Sequence, residues 1–259
     1  MKTFQKITWA FFVLLALFIG GIALNSCSIQ PTAWTPQSKP EFTGALQLND
    51  HLSNSVKLDL KGWNGAEDFA YDQEGNLYCG VHRGETNFSE GAILQFTPQG
   101  QMRVFLHTSG WVTGMEFDQS GNLIALIQGT GLVKITPNRQ IIPLVQKDAQ
   151  NRPILMGSGL TIATDGKIYF ANLSATHTTS PKYINKLILE LEKTGGVYCY
   201  HPKTNTIQTL SEGNYFANGL VLSKSEDYLL LSETSKYRVL RYWLKGAKAG
   251  TWEVFMDNL

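Results

Sequence analysis

The stretch "TGMEFDQSGNLIAL", residues 113–126, contains the pattern that decides the fold. A short alternating apolar run leads into a polar turn with Asp118 and Gly121, and a second run rich in β-forming residues follows. This arrangement predicts an antiparallel hairpin. The same arrangement occurs in three other stretches, which are "EDFAYDQEGNLYCG" (67–80), "SGLTIATDGKIYFA" (158–171) and "NGLVLSKSEDYLLL" (218–231).

The hairpins recur at a nearly constant distance along the chain. The turn glycines Gly75, Gly121 and Gly166 are 46 and 45 residues apart, and the fourth hairpin follows after a larger gap. Further strand-like runs fill the intervals between the hairpins. A period of about 45 residues with four strands per unit is typical of the blades of a β-propeller. We therefore predict an all-β propeller.

Each hairpin begins with a residue that carries a side-chain oxygen. Because the innermost strands of a propeller surround its axis, the aligned residues should form a ring at one mouth of the propeller. Starts of strands also favour Ser, Thr and Asn for reasons of local hydrogen bonding, so a structural explanation stays open, although it fits a Glu poorly. The aligned residues are Glu67, Thr113, Ser158 and Asn218.

One insertion interrupts the strand pattern. The stretch "SPKYINKLILELEKTG", residues 180–195, has apolar residues at helical spacing and predicts an amphipathic helix from about Lys182 to Lys193. We expect the helix to lie across one mouth of the propeller, either as a substrate lid or as a structural cover. Together with Trp111 and Thr113, it is expected to shape a substrate pocket.

The composition excludes several classes of function. With 22 basic and 21 acidic residues, the chain has a net charge of +1, and we expect no nucleic-acid partner. Three cysteines are too few for a disulfide framework, and buried thiols at Cys79 and Cys199 are favoured over a bridge between them. The sequence has no HExxH motif, no CxxC motif and no GxSxG nucleophile elbow.

The N-terminus predicts a membrane anchor. Residues 7–24, "ITWAFFVLLALFIGGIAL", carry no charge and follow Lys2 and Lys6, as in a single-pass helix whose lysines stay in the cytoplasm. The propeller would then lie on the extracytoplasmic side, periplasmic or lumenal. A lipoprotein anchored at Cys27 and simple secretion are the alternatives. The predicted segments are an anchor over 1–26, a Pro/Ser/Thr-rich linker over 27–45 and a propeller over 46–259.

The C-terminal part resembles a known family. The stretch "YFANGLVLSKSEDYLLLSETSKYRVLRYWLKGAKAGTWEVFMDNL", residues 215–259, is similar to the strictosidine synthase-like and adipocyte plasma membrane-associated proteins. These belong to the superfamily of six-bladed propellers that includes the SMP-30 proteins, gluconolactonases and paraoxonases. The resemblance implies about 300 residues for six blades. It therefore implies an incomplete propeller of four to five blades, truncated at its C-terminus.

The resemblance also implies a chemistry. Hydrolases of the superfamily hold an axial calcium ion with a Glu, Asn residues and an Asp. Here Glu67 and Asn218 match that set, whereas Ser158 and Gly159 stand where an Asn-Asp pair is usual, and the Asp would lie beyond Leu259. The expected activity is calcium-assisted hydrolysis of a lactone or aryl ester, in which the ion polarises the carbonyl.

Two other functions stay open. One is the condensation of an amine with an aldehyde, as in strictosidine synthase, whose catalytic Glu comes late in the chain. The other is a non-enzymatic propeller that binds a ligand or a protein. Glu233 lies at a strand end and is interpreted as a solvated or turn-capping carboxylate rather than as a catalytic residue. The residues identify no general base.

Overall fold

The computed structural model describes residues 12–18, 21, 29–33, 35, 38, 41–44, 47–84, 88–177 and 181–259. Sixteen strands in these residues form four antiparallel sheets, and within each sheet the strands pair in the order of the chain. Blades 1 and 2 consist of β1 (Phe69–Tyr71), β2 (Leu77–Arg83), β3 (Glu90–Phe96), β4 (Met102–Thr108), β5 (Val112–Phe117), β6 (Leu123–Ile127), β7 (Gly131–Ile135) and β8 (Ile141–Val145). Blades 3 and 4 consist of β9 (Gly157–Ile162), β10 (Ile168–Asn172), β11 (Lys193–His201), β12 (Thr206–Tyr215), β13 (Ala217–Leu222), β14 (Tyr228–Glu233), β15 (Arg238–Trp243) and β16 (Trp252–Met256).

The four sheets are arranged as propeller blades. The first strands of successive blades, β1, β5, β9 and β13, contact one another in turn and are therefore the innermost strands. This confirms the predicted all-β architecture with four strands per unit. The described residues contain four blades, at the lower end of the predicted number.

The turn that joins the first two strands has one geometry in all four blades. Its fourth residue has a positive φ of 81° at Gly75, 77° at Gly121, 87° at Gly166 and 54° at Glu226. In each case the backbone N–H of this residue donates to the carbonyl three positions earlier. Because the left-handed region favours glycine, the turn explains the glycine spacing in the first three hairpins. Blade 4 has the same turn without the glycine.

The blades pack closely near the propeller axis. A Cβ added at Gly80 would lie 2.1 Å from the carbonyl oxygen of Val112. One added at Gly114 would lie 2.0 Å from the carbonyl oxygen of Ser158. Neither position has room for a side chain, so neighbouring backbones approach each other directly. Farther from the axis, apolar side chains fill the space between blades, for example Ile93 of β3 and Val133 of β7 in the buried cluster between blades 1 and 2.

The inserted helix, α1, runs from Pro181 to Leu189 and ends earlier than predicted, because Lys193 already begins strand β11. Leu187 is fully buried in a cluster contributed by the starts of β9 and β13 and the end of β10. The helix therefore covers one mouth of the propeller over blades 3 and 4, as predicted. The other buried members of this cluster are Met156, Leu173 and Phe216.

The predicted anchor at 7–24 lies largely outside the described residues, of which 12–18 and 21 are helical. Within the described ranges, no helix is long and apolar enough to cross a membrane. Cys27 also lies outside these ranges. Cys79 and Cys199 are buried free thiols, as favoured above.

Candidate functional site at the propeller mouth

Two of the four predicted ring residues are in direct contact. Ser158 is buried, and its Oγ donates a hydrogen bond of 2.7 Å to Asn218 Oδ1. The amide of Asn218 in turn donates to Thr234 Oγ1 over 3.2 Å. Ser158 is the second residue of β9, the innermost strand of blade 3, and Asn218 is the second residue of β13, that of blade 4. The structure therefore brings two ring oxygens together between these blades.

Thr113 lies at the equivalent position of blade 2 and is buried. Its hydroxyl donates a hydrogen bond of 2.5 Å to the carbonyl oxygen of Gly157 in blade 3. The hydroxyl proton is thus engaged between two blades, and the residue fixes the spacing of their innermost strands.

Glu67 lies at the equivalent position of blade 1 and is exposed. No hydrogen bond to its carboxylate occurs within the described part of the chain. Partial desolvation and the nearby charge of Asp68 raise the pKa of Glu67. Because the residue remains exposed, this shift indicates crowding around the carboxyl group and not complete burial. Among the ring side chains, Glu67 supplies the charged group at this mouth.

Two other carboxylates link successive blades. Asp68 Oδ2 accepts the backbone N–H of Met115 over 2.6 Å, and Glu116 Oε2 accepts that of Ile162 over 3.1 Å. Burial raises the pKa of both carboxyl groups. The repeat alignment contains a signal for Asp68, because the other three hairpins have glycine at its position, namely Gly114, Gly159 and Gly219.

An aromatic cluster lies at the same mouth beside blades 1 and 2. His82, at the end of β2, packs edge-on against Phe88 and Trp111, with ring centroids 4.7 Å away in both cases. Trp111 is half-buried and donates from Nε1 to the Gly65 carbonyl over 2.7 Å. The structure thus places Trp111 at the mouth, with His82 as a neighbour that sequence reasoning missed.

Glu233 is buried, so its interpretation as a solvated carboxylate is wrong. Its Oε1 accepts hydrogen bonds from Asn214 Nδ2 at 3.1 Å and from the Tyr215 backbone at 3.0 Å. Its Oε2 forms an ion pair of 2.6 Å with Arg238. These contacts tie the end of β14 to β12 and β15, which is a structural role.

The ring residues offer hard oxygen donors of the type that calcium prefers. Glu67 would contribute a carboxylate, Asn218 an amide oxygen and Ser158 a hydroxyl oxygen. The set contains one carboxylate, since Asp68 accepts backbone N–H groups. Within the described ranges, no group of three or more His, Cys, Asp and Glu side chains could hold a metal ion. The donor types are ones that calcium accepts, and a set with a single carboxylate would form a site of low charge.

A large groove of about 580 Å³ lies at the opposite end of blades 1 and 2, away from this mouth. It is lined by residues of the hairpin turns, including Asp72, Asp118 and Arg139. Both aspartates are bonded within their own turns, to Asn76 and Asn122 respectively. The groove therefore does not lie at the ring of polar residues. The polar groups at the ring mouth make that mouth a better candidate site than the groove.

The fold and the ring define the chain as a β-propeller with a polar axial mouth. The profile described as "Strictosidine synthase" matches residues 158–247, and the one described as "Strictosidine synthase-like, N-terminal" matches residues 44–85. Together they match about half of the chain. The chain belongs to the strictosidine synthase-like family.

Similar curated proteins occur in an insect and in a plant. The adipocyte plasma membrane-associated protein Hemomucin of Drosophila melanogaster is 28% identical over 263 residues, covering 96% of this chain and 44% of that protein. Strictosidine synthase-like 3 of Arabidopsis thaliana is 31% identical over 231 residues, covering 80% of this chain and 59% of that protein. The chain thus spans about half the length of the curated relatives it matches.

Solved structures show the same fold at low sequence identity. A gluconolactonase from Xanthomonas campestris aligns with a TM-score of 0.58 and 17% identity, over 73% of this chain and 61% of its own. A structure of a nidogen/laminin complex aligns with a TM-score of 0.52 and 13% identity, over 73% of this chain and 64% of its own. These likenesses establish the propeller fold alone.

Proposed function

We propose that the protein is a hydrolase of lactones or aryl esters that acts at the propeller mouth with the help of calcium. The observation that carries the proposal is the carboxylate of Glu67, which accepts no hydrogen bond from the described residues. Glu67 precedes the innermost strand of blade 1, at the position aligned with Ser158 and Asn218. The gluconolactonase-like fold and the membership of the strictosidine synthase-like family support a reaction of this type.

In this proposal Glu67, Asn218 and Ser158 hold the ion. When bound, calcium supplies Lewis-acid polarisation of the substrate carbonyl. The chain's own residues limit solvent and orient the substrate. Helix α1 closes the mouth over blades 3 and 4, which leaves access beside Trp111 at blades 1 and 2. An aryl group could pack against the half-buried indole there.

We also propose that residues 7–24 anchor the protein in a membrane, with the propeller on the extracytoplasmic side. The uncharged run of 18 residues supports this, as do relatives whose names describe association with the adipocyte plasma membrane. Extraction of membranes with alkaline carbonate tests the anchor. An anchored protein stays in the membrane pellet. Recovery of the protein in the supernatant would contradict the proposal.

The activity is tested with phenyl acetate and δ-valerolactone, in excess calcium and in excess chelator. We expect hydrolysis in calcium, and loss of hydrolysis in chelator and in Glu67→Gln. Glu74→Gln is the matched control, because Glu74 is an exposed carboxylate on the turn at the opposite end of blade 1. Hydrolysis that is unaffected by both the chelator and Glu67→Gln would contradict the role of the ring.

A binding propeller without hydrolytic activity is the second candidate. It is favoured by the Ser158–Asn218 hydrogen bond, in which the amide oxygen that could face an ion accepts a proton instead. The distinguishing result is a wild-type protein that hydrolyses none of the substrates and whose stability does not respond to calcium.

A further inference from the structure

We propose that His82 is the general base of the reaction at this mouth, accepting a proton from the attacking water at Nδ1. The inference rests on the proposed hydrolase function and supplies the proton acceptor that the sequence did not identify. It assigns a role to a side chain that lies outside the predicted ring.

His82 lies on the segment that pairs with the approach to Glu67. Its backbone exchanges two hydrogen bonds with Asn64, of 3.0 and 2.9 Å. Three residues after Asn64, the backbone N–H of Glu67 donates to the Gly80 carbonyl over 3.4 Å. The antiparallel pairing therefore carries His82 and Glu67 to the same mouth of the propeller. The imidazole reaches from blade 1 to Trp111 at the start of blade 2.

Neighbouring residues pack closely around the imidazole of His82. A Cβ at Gly65 would lie 2.5 Å from both Cδ2 and Nε2 of His82, and 2.9 Å from the Trp111 ring. Phe88 adopts a left-handed backbone conformation, with φ of 49°, and its ring packs against the same imidazole. For a bulky residue this conformation is strained, and such strain concentrates at functional sites. The contacts fix the ring of His82 in one orientation.

His82 Nδ1 is buried and forms no hydrogen bond of standard geometry within the described part of the chain, although backbone groups of Arg83 and Gly84 lie near the imidazole. The residue as a whole is 8% exposed. Most buried polar atoms in proteins are hydrogen-bonded, because an unpaired buried group costs about 1–3 kcal/mol. A nitrogen left unpaired in a closely fitted pocket is therefore explained by a partner that arrives with the substrate.

The imidazole is neutral in the range where a base must act. Burial lowers the pKa of His82, and the backbone groups of Gly84 and Arg83 oppose this effect in part. No carboxylate contributes to the shift. The guanidinium of Arg83 lies over the Trp63 ring, 4.1 Å from its centroid. A neutral imidazole at pH 7 can accept a proton without first losing one.

The proposed step conserves atoms and charge. The water oxygen bonds to the carbonyl carbon of the lactone or ester while one water proton passes to Nδ1. Collapse of the tetrahedral intermediate breaks the bond between that carbon and the alcohol oxygen. The alcohol oxygen takes the proton from the imidazolium, and the products are a carboxylic acid and an alcohol.

The experiment measures kcat/KM for phenyl acetate from pH 5 to pH 9 in excess calcium. A general base contributes about 10²–10⁴-fold, so we expect His82→Gln to lower kcat/KM by at least about 10²-fold. The wild-type rate should fall on the acidic side as His82 becomes protonated, and this acidic limb should be absent from the residual rate of the variant. Melting temperature and circular dichroism verify that His82→Gln is folded.

His107→Gln is the matched control, because His107 is exposed and packs on the Trp63 ring. It should keep both the wild-type rate and the acidic limb. Active wild type together with an active His82→Gln that retains the limb would overturn the role of His82 while leaving the hydrolase function intact. Wild-type protein inactive on every lactone and ester would instead overturn the hydrolase function, and the role of His82 with it.

Discussion

Truncation of Leu187 to alanine tests whether helix α1 is a fixed cover or a lid that opens. Leu187 is fully buried against the strand ends at the mouth, so the substitution removes three carbon atoms from a packed site. At about 0.8 kcal/mol per buried methylene, the transfer term alone is about 2.4 kcal/mol. The cavity left behind raises the expected loss of unfolding free energy to about 3–4 kcal/mol.

The assay is urea denaturation followed by tryptophan fluorescence, with Leu189→Ala as the matched control. Leu189 lies on the same helix and is 46% exposed, so its truncation should change the unfolding free energy by less than about 0.5 kcal/mol. Equal midpoints for the two variants would refute the reasoning. That result, combined with faster hydrogen exchange in 181–189 alone, would mean that the helix opens independently as a lid.

Three further perturbations test the packing and the buried charges. Glu233→Gln should cost about 2 kcal/mol in urea, because it leaves the partly exposed Arg238 without its counter-charge; an unchanged midpoint would contradict the structural role. Gly114→Ala should cost about 3 kcal/mol or more, since its Cβ would lie 2.0 Å from the Ser158 carbonyl oxygen, and a fully stable variant would disprove this close approach. Burial raises the pKa of Glu116, so folding favours its protonated form relative to the unfolded chain, and the contribution of Glu116 to stability should decline as the pH rises from about 4 through the raised value. Glu116→Gln should make the decline in urea midpoints between about pH 4 and pH 7 smaller without abolishing it, because the pKa values of Glu67 and Asp68 are raised as well, and parallel curves for the two proteins would contradict the assignment.

The fold could be predicted because local chemistry repeats. The hairpin turn needs a left-handed residue at its fourth position, and glycine provides it at Gly75, Gly121 and Gly166, which makes the period visible. The same turn exists at Glu226 without glycine, where the alternation of apolar residues is the remaining signal. The helix boundary was less predictable, because the apolar spacing continues to Leu191 after the helix has ended.

The site was predictable only in part. The alignment of repeats put Ser158 and Asn218 at equivalent positions, and the structure shows them in contact, since equivalent positions in blades share a place around the axis. It could not find His82, whose significance comes from packing against Trp111, a residue of the next blade. Likewise, the buried state of Glu233 depends on Arg238 and on side chains of blade 3, which no local pattern indicates.

The most direct measurement is the melting temperature of the protein in excess calcium and in excess EDTA. A ligand present at a hundred times its Kd stabilises the folded state by about 2.7 kcal/mol, which corresponds to about 5–10 °C for a domain of this size. We predict an upward shift in calcium for the wild type and none for Glu67→Gln. Identical melting temperatures of the wild type in calcium and EDTA would contradict a calcium-binding ring at the propeller mouth.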